Sequence, residues 1–349
     1  MGKLSRERFL KLTAQSTFAV PFLKENRLQD EPKKDEKLVF RFLQVNDLHV
    51  QNESSRYLKQ RIAPAYAGAN TRAIWLREAL RGGQFFPEVD FVLSVGDMIH
   101  GNTLEGVKYD MDFFHRYFYS DFPLPFYPVM GNHENVQNEG DPVFEGSYIQ
   151  AFGKDKINYS FVHKGLHFII FNNSGSWVVK DSGILEYRLK SLRQLLDLHP
   201  TLPKIVCCHI PLVSVRTKEV LAKSFGFTSF YTKEQEIGDL IRQYNPKVLA
   251  VLSGHLHISG MVNTHAIHHV VLSGLASYPH DMALYSVYSD RIDVEFVRVP
   301  SDLLQPETNI HGAKRFGFDY TDELHTDYSS YLMGNSQERR FSIPIKKNS

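Results

Sequence analysis

Seven residues able to ligate a metal ion stand just beyond five separate apolar runs: Asp47 and His49, Asp97, Asn132, His209, and the pair His255 and His257. Imidazole is the commonest metal ligand among side chains, and Ser253-Gly254-His255-Leu256-His257 puts two imidazoles on one short turn. A lone His-x-His says little, because core packing places many histidines. A set at matching positions says more. Two ions with four protein ligands each and one shared carboxylate need seven residues, the number present. Asp97 is the natural bridge, since a carboxylate has two oxygens and its charge offsets repulsion between cations. Ions so paired sit about 3.5–4 Å apart and clamp the attacking and leaving oxygens of a phosphoryl displacement. With nitrogen and oxygen donors and no thiolate, Mn, Fe or Zn is favoured over copper(I) or an iron–sulfur cluster.

For these residues to meet, the runs before them must be neighbouring strands. Residues 38–45, 89–95, 126–130, 205–208 and 248–252 are short, apolar and rich in β-branched or aromatic side chains, as buried strands are. Helical periodicity separates them. One helix is expected from about Asn70, whose side chain can cap it, with Ala73, Leu76 and Leu80 on one face and Gly82-Gly83 as its stop. A second carries Leu185, Leu189, Leu192 and Leu196 and stops at His199-Pro200; a third opens on a Thr232–Gln235 capping box and runs to Asn245-Pro246. Residues 157–163 and 166–171 read as a hairpin turning at Lys164-Gly165, and β segments follow at 266–273, 283–288 and 292–299. Strands alternating with helices predict an α/β fold. Ligands of such sheets gather beyond the carboxyl ends of strands, where the seven residues stand.

Composition narrows the partners. A hydrophobic share of 42% over 349 residues supports a real core, and a net charge of +1 gives no field to hold nucleic acid or an anionic membrane unaided. No apolar run reaches the 18 or so residues of a membrane span. The two cysteines, Cys207 and Cys208, are adjacent in a strand, so a disulfide framework is excluded and both read as small core residues. Residues 1–37 read as leader and linker, 38–300 as the metal-bearing domain, and 301–349 as a polar, aromatic tail that packs on the domain or a partner. Ser5-Arg6-Glu7-Arg8-Phe9-Leu10-Lys11 resembles a degenerate twin-arginine leader, which implies export to the periplasm; the alternative is an amphipathic N-terminal helix, residues 9–18, on a cytoplasmic protein.

Asp47-x-His49, Gly96-Asp97, Gly131-Asn132-His133-Glu134, His209 and Gly254-His255-x-His257 resemble, in order, the five motifs of calcineurin-like metallophosphoesterases. The resemblance covers roughly residues 38–300 and implies a four-layer α/β/β/α sandwich with two central mixed sheets and the metals above them. It implies that Asp47, His49 and His257 hold one ion and Asn132, His209 and His255 the other, with Asp97 between. It makes His133 no ligand but the general acid or transition-state stabiliser at the leaving group; Glu134 beside it then reads as the group that orients its ring, the alternative being a solvated loop charge. A solvent molecule acidified toward hydroxide between the metals would attack phosphorus in line. His100 stands where many relatives have aspartate in Gly-Asp-x-x-Asp; the roles open to it are supporting a ligand, touching substrate or capping a turn, with a structural role favoured. Asn102, Asn173 and Arg216 are phosphate contacts by position only, with turn or surface roles favoured. The tyrosine ligand pattern of purple acid phosphatases is missing.

The expected substrate is a small-molecule phosphate ester. The histidine in the first motif and the chain length are similar to bacterial phosphodiesterases acting on cyclic nucleotides or related small diesters. Val45-Asn46-Asp47-Leu48-His49 also resembles 5′-nucleotidases, monoesterases that usually carry a second domain; the roughly 50 residues after Pro300 are too few for one. A non-catalytic docking scaffold of the same fold, as in a retromer subunit, is disfavoured because every ligand position and His133 are filled.

Overall fold

Along β1 (Phe40–Val45) alternate side chains enter two different apolar layers, Phe40 and Phe42 into one, Leu43 and Val45 into another. The same alternation holds in β2 (Phe91–Val95), where Phe91, Leu93 and Val95 face inward and Val92 outward. That is why these strands are apolar throughout: both faces are covered. The structure is a computed structural model that describes residues 37–52, 66–83, 85–101, 103–135, 145–174, 182–225, 235–306 and 320–346.

The other strands are β3 (Phe126–Val129), β4 (Tyr159–His163), β5 (Leu166–Ile170), β6 (Lys204–Cys207), β7 (Val248–Ser253), β8 (Gly260–Thr264), β9 (Ile267–Val271), β10 (Asp281–Val287), β11 (Arg291–Arg298) and β12 (Arg340–Pro344). They form two six-stranded mixed sheets, ordered β12-β11-β10-β1-β2-β3 and β4-β5-β6-β7-β9-β8. β1, β2 and β3 run parallel, as do β5, β6, β7 and β9. Pro128, which cannot donate to a ladder, is tolerated because β3 is an edge strand.

The inner faces interlock through aromatic rings. Phe42 stacks on Tyr285 at 4.3 Å and meets Phe168 of the other sheet edge-on at 5.2 Å. Each such ring contributes about 2–3 kcal/mol of burial. On the outer face of the first sheet lie α1 (Ala69–Gly82), α2 (Leu104–Phe114) and α3 (Gly146–Phe152). On the outer face of the second lie α4 (Ser182–Asp197) and α6 (Gln235–Arg242), with α5 (Lys218–Phe225) between them in sequence. The architecture is the α/β/β/α sandwich. Among the described residues no helix is long and apolar enough to cross a membrane. Cys207 and Cys208 are buried free thiols on opposite faces of the second sheet.

Several local expectations need correction. Gly68, in the left-handed region at φ 73°, is the N-cap of α1, and Asn70 is not. Its amide instead accepts from Gln51 N–H at 3.0 Å and donates to Gln51 C=O at 2.8 Å, tying the helix to the loop after β1. β8 is an unforeseen partner of β9, joined by a two-residue turn in which His265 and Ala266 both have positive φ. The tail is also more ordered than its weak periodicity suggests: residues 320–346 supply α7 (Tyr328–Met333), α8 (Ser336–Arg339) and β12, which closes the free edge of β11. The leader reading, residue 102 and Thr232 lie outside the described residues.

Candidate metal centre

The pairing of β1 with β2 does not stop where the strands do. Asp47 N–H donates to the Gly96 carbonyl at 2.9 Å, His49 N–H to Asp97 at 3.0 Å and Val50 N–H to Met98 at 2.9 Å. This zipper sets Asp47 and His49 beside Asp97. Asp47, His49, Asp97, His255 and His257 all adopt positive φ, between 44° and 69°. Such backbone costs about 1–3 kcal/mol per residue and persists only where the surroundings over-determine it. Five strained residues at one place mark a site rather than a set of turns.

The side chains from β1, β2, β3, β6 and β7 ends converge. His257 Nε2 lies 3.2 Å from Asp47 Oδ1 and 3.3 Å from His49 Nε2. Asp97 Oδ2 lies 3.0 Å from His209 Nε2 and 3.9 Å from His49 Nε2. Asn132 Oδ1 sits between His209 Nε2 at 3.1 Å and His255 Nδ1 at 2.9 Å. Asp47, His49 and His257 make one trio able to hold a cation, and Asp97, His209 and His255 another. The structure therefore brings all seven candidate ligands together, with one Asp97 oxygen facing both trios.

The donor set fits two cations. Asp47 Oδ1 is buried and, among the described residues, accepts no hydrogen bond, as a ligand oxygen would be left. The far nitrogens of two rings are fixed by hydrogen-bond partners: His209 Nδ1–H donates to the Val95 carbonyl at 2.9 Å, and His257 Nδ1 meets Ser277 Oγ at 2.6 Å. Both leave Nε2 aimed inward, the way second partners orient ligating imidazoles. Gly96 has φ 87°, and a Cβ there would lie 2.3 Å from His209 Nδ1, so only glycine admits that ring.

Charge is concentrated here. Burial opposes ionisation of Asp47, yet the imidazole of His257 holds its pKa well below the ordinary value. Burial likewise opposes Asp97, and the charges of His209 and His133 more than offset it. His209 is pushed up to about 9: burial works against the cation, but the Asp97 carboxylate wins. Burial, then His209, lowers His255 to about 3, the neutral form in which imidazole ligates.

His133 stands beside this cluster, its Nε2 3.8 Å from Asp97 Oδ2. It keeps 8% of its surface exposed, whereas Asp47, His49 and His209 keep none, so a bound ester can reach it. The ring is oriented through Nδ1 by the His100 carbonyl. That corrects the role expected of Glu134. Its carboxylate turns away and accepts the backbone N–H groups of Gly131 at 2.6 Å, Asp97 at 3.0 Å and Ile99 at 3.1 Å, bracing the loops that carry Asp97 and Asn132. Burial, then Asp97, raises its pKa to about 8 against the charge of His209 and the N–H groups of Gly131 and Ile99.

Two groups at the site carried no sequence signal or a weak one. Tyr66, from a stretch without a motif, places its ring 4.3 Å from that of His49. His100, marked only as a departure, has its ring 4.9 Å from Tyr66 and forms a close trio with His49 and His133. Two suspected phosphate contacts are structural. Asn173 donates to the Ile210 carbonyl at 2.7 Å and accepts its N–H at 3.0 Å, and the buried Arg216 guanidinium is engaged by the Ser259 carbonyl and by the C-terminal segment.

Comparison with known proteins places this geometry. A sequence model of the calcineurin-like phosphoesterase family matches residues 40–259. A probable glycerophosphodiester phosphodiesterase from Arcobacter nitrofigilis is 23% identical over 243 residues, covering 69% of this chain and 80% of that protein. The crystal structure of a dimetal phosphatase from Danio rerio superposes with a TM-score of 0.53 at 18% identity, over 75% of this chain and 98% of the other, a likeness of fold.

Proposed function

The chain belongs to the calcineurin-like phosphoesterase family and is a hydrolase of phosphoric esters, and on that premise we propose that it cleaves a small phosphodiester with two transition-metal ions, Mn, Fe or Zn. Asp47, His49 and His257 would hold one ion and Asn132, His209 and His255 the other, with Asp97 shared. The observation that carries this reading is the position of Asp97 Oδ2, 3.0 Å from His209 and 3.9 Å from His49. When bound, such a pair supplies Lewis-acid charge to phosphoryl oxygens and acidifies solvent for in-line attack.

The chain's own residues do the rest. His133 donates a proton from Nε2 to the departing alkoxide, while the His100 carbonyl accepts from Nδ1 and fixes the direction in which Nε2 points. Asp97 accepts the His133 backbone N–H at 2.9 Å, so the acid and the shared carboxylate keep one fixed spacing. Diester preference is supported by the similarity to the Arcobacter nitrofigilis protein. The test compares bis(p-nitrophenyl) phosphate with p-nitrophenyl phosphate on metal-loaded protein. Diester turnover at least about tenfold above monoester, a barrier difference of about 1.4 kcal/mol, is the expected result. The reverse preference makes the chain a phosphomonoesterase.

A further inference from the structure

The turn carrying His255 and His257 is gripped from outside by the C-terminal segment. Leu256, between the two imidazoles, is fully buried in an apolar cluster that includes Tyr320, Tyr331 and Leu332. Ser259, two residues past His257, donates its N–H to the Leu332 carbonyl at 2.8 Å and its hydroxyl to Asp281 Oδ2 at 2.6 Å. Arg339 of α8 holds that same carboxylate at 2.8 and 2.9 Å. Arg216 ties both partners at once: it donates to the Ser259 carbonyl at 2.6 Å and the Tyr331 carbonyl at 2.9 Å, and it pairs with Glu338 at 3.1 Å.

The turn needs such a grip. With φ of 69° and 52°, His255 and His257 sit in backbone that L-residues leave unless held. Asp47 Oδ2, accepting the His255 N–H at 3.0 Å, restrains the turn from the site side. We infer that residues 320–339 restrain it from the other side and so set the spacing of His255 and His257, with Tyr331 the positioning residue at the centre of the contact. Because those imidazoles belong to different trios, loosening the turn weakens both cation sites together. This inference rests on the two-ion reading above.

The test is Mn(II) binding to the full chain by calorimetry, with folding followed by circular dichroism. Tyr331→Ala opens a cavity behind Leu256 and is expected to weaken both ions about tenfold, in the range seen when groups behind metal ligands are removed. Tyr331→Phe keeps the packing and should restore wild-type affinity. Ile343→Ala is the control: its side chain is buried between the sheets, in a different cluster, so the melting temperature should fall while Mn(II) affinity holds. Unchanged affinity in folded Tyr331→Ala, or an equal loss in Ile343→Ala, overturns the inference. If Tyr331→Ala does not fold, Glu338→Leu decides, since it keeps much of the volume and removes the oxygen that Arg216 holds; wild-type affinity there overturns the inference. A wild-type chain that binds no pair of ions overturns the two-ion reading instead.

Discussion

Asp47 divides its two oxygens between tasks: Oδ2 accepts the His255 backbone N–H at 3.0 Å, while Oδ1 faces His257 Nε2 at 3.2 Å. One side chain from the first sheet thereby anchors the turn from the second and presents a ligand atom beside it. Asp47→Asn keeps the shape and removes the charge. The expected outcome is one ion per chain instead of two by elemental analysis, and activity down on the order of a hundredfold. Two ions retained at wild-type affinity would remove Asp47 from the ligand set.

Gly96→Ala tests how closely the sheets approach. The substitution puts a methyl into the His209 ring at a φ of 87°, which costs more than about 1 kcal/mol. Chemical denaturation should show that loss, and the second ion should bind more weakly. A neutral result would mean that His209 has room to move.

The strand-end residues were legible in the sequence because strands covered on both faces leave continuous apolar runs, and the polar residue that ends each run stands out. What a polar side chain touches was not legible. Glu134 neighbours His133 in sequence yet braces three backbone N–H groups, and Asn70 serves Gln51 instead of its own helix. The β8–β9 hairpin leaves no turn signal in the sequence because its turn uses His265 and Ala266 at positive φ, where asparagine or glycine is the usual signal. Tyr66 reaches His49 only through tertiary structure. β12 is a short edge strand whose Ile343 alone is buried, too little for a periodic signal.

His133→Asn separates acid catalysis from metal binding. The variant should keep both ions. Turnover should fall by about 10²–10⁴ for alkyl leaving groups, which need a proton, and far less for nitrophenolate. Equal losses across leaving groups would contradict the acid role.

Asp281 gives the fold an acid-sensitive pairing. Its burial opposes ionisation, yet Arg339 and then Arg298 hold its pKa below the ordinary carboxylate value. With the folded value below an unfolded one of about 3.9, the stabilisation is complete above about pH 4 and is lost as pH falls through the folded value. Asp281→Asn should therefore cost about 3 kcal/mol near neutrality, as breaking a buried pair does. The gap to wild type should narrow in acid. A gap independent of pH would show that the charge of Asp281 is not what stabilises.

The most direct measurement is electron paramagnetic resonance of the Mn(II)-loaded chain. A carboxylate shared by two ions couples their spins, so the expected spectrum is that of an exchange-coupled pair at two Mn(II) per chain, with coupling lost in Asp97→Ala. A spectrum of isolated Mn(II), or a chain that binds one ion or none, would contradict the shared centre.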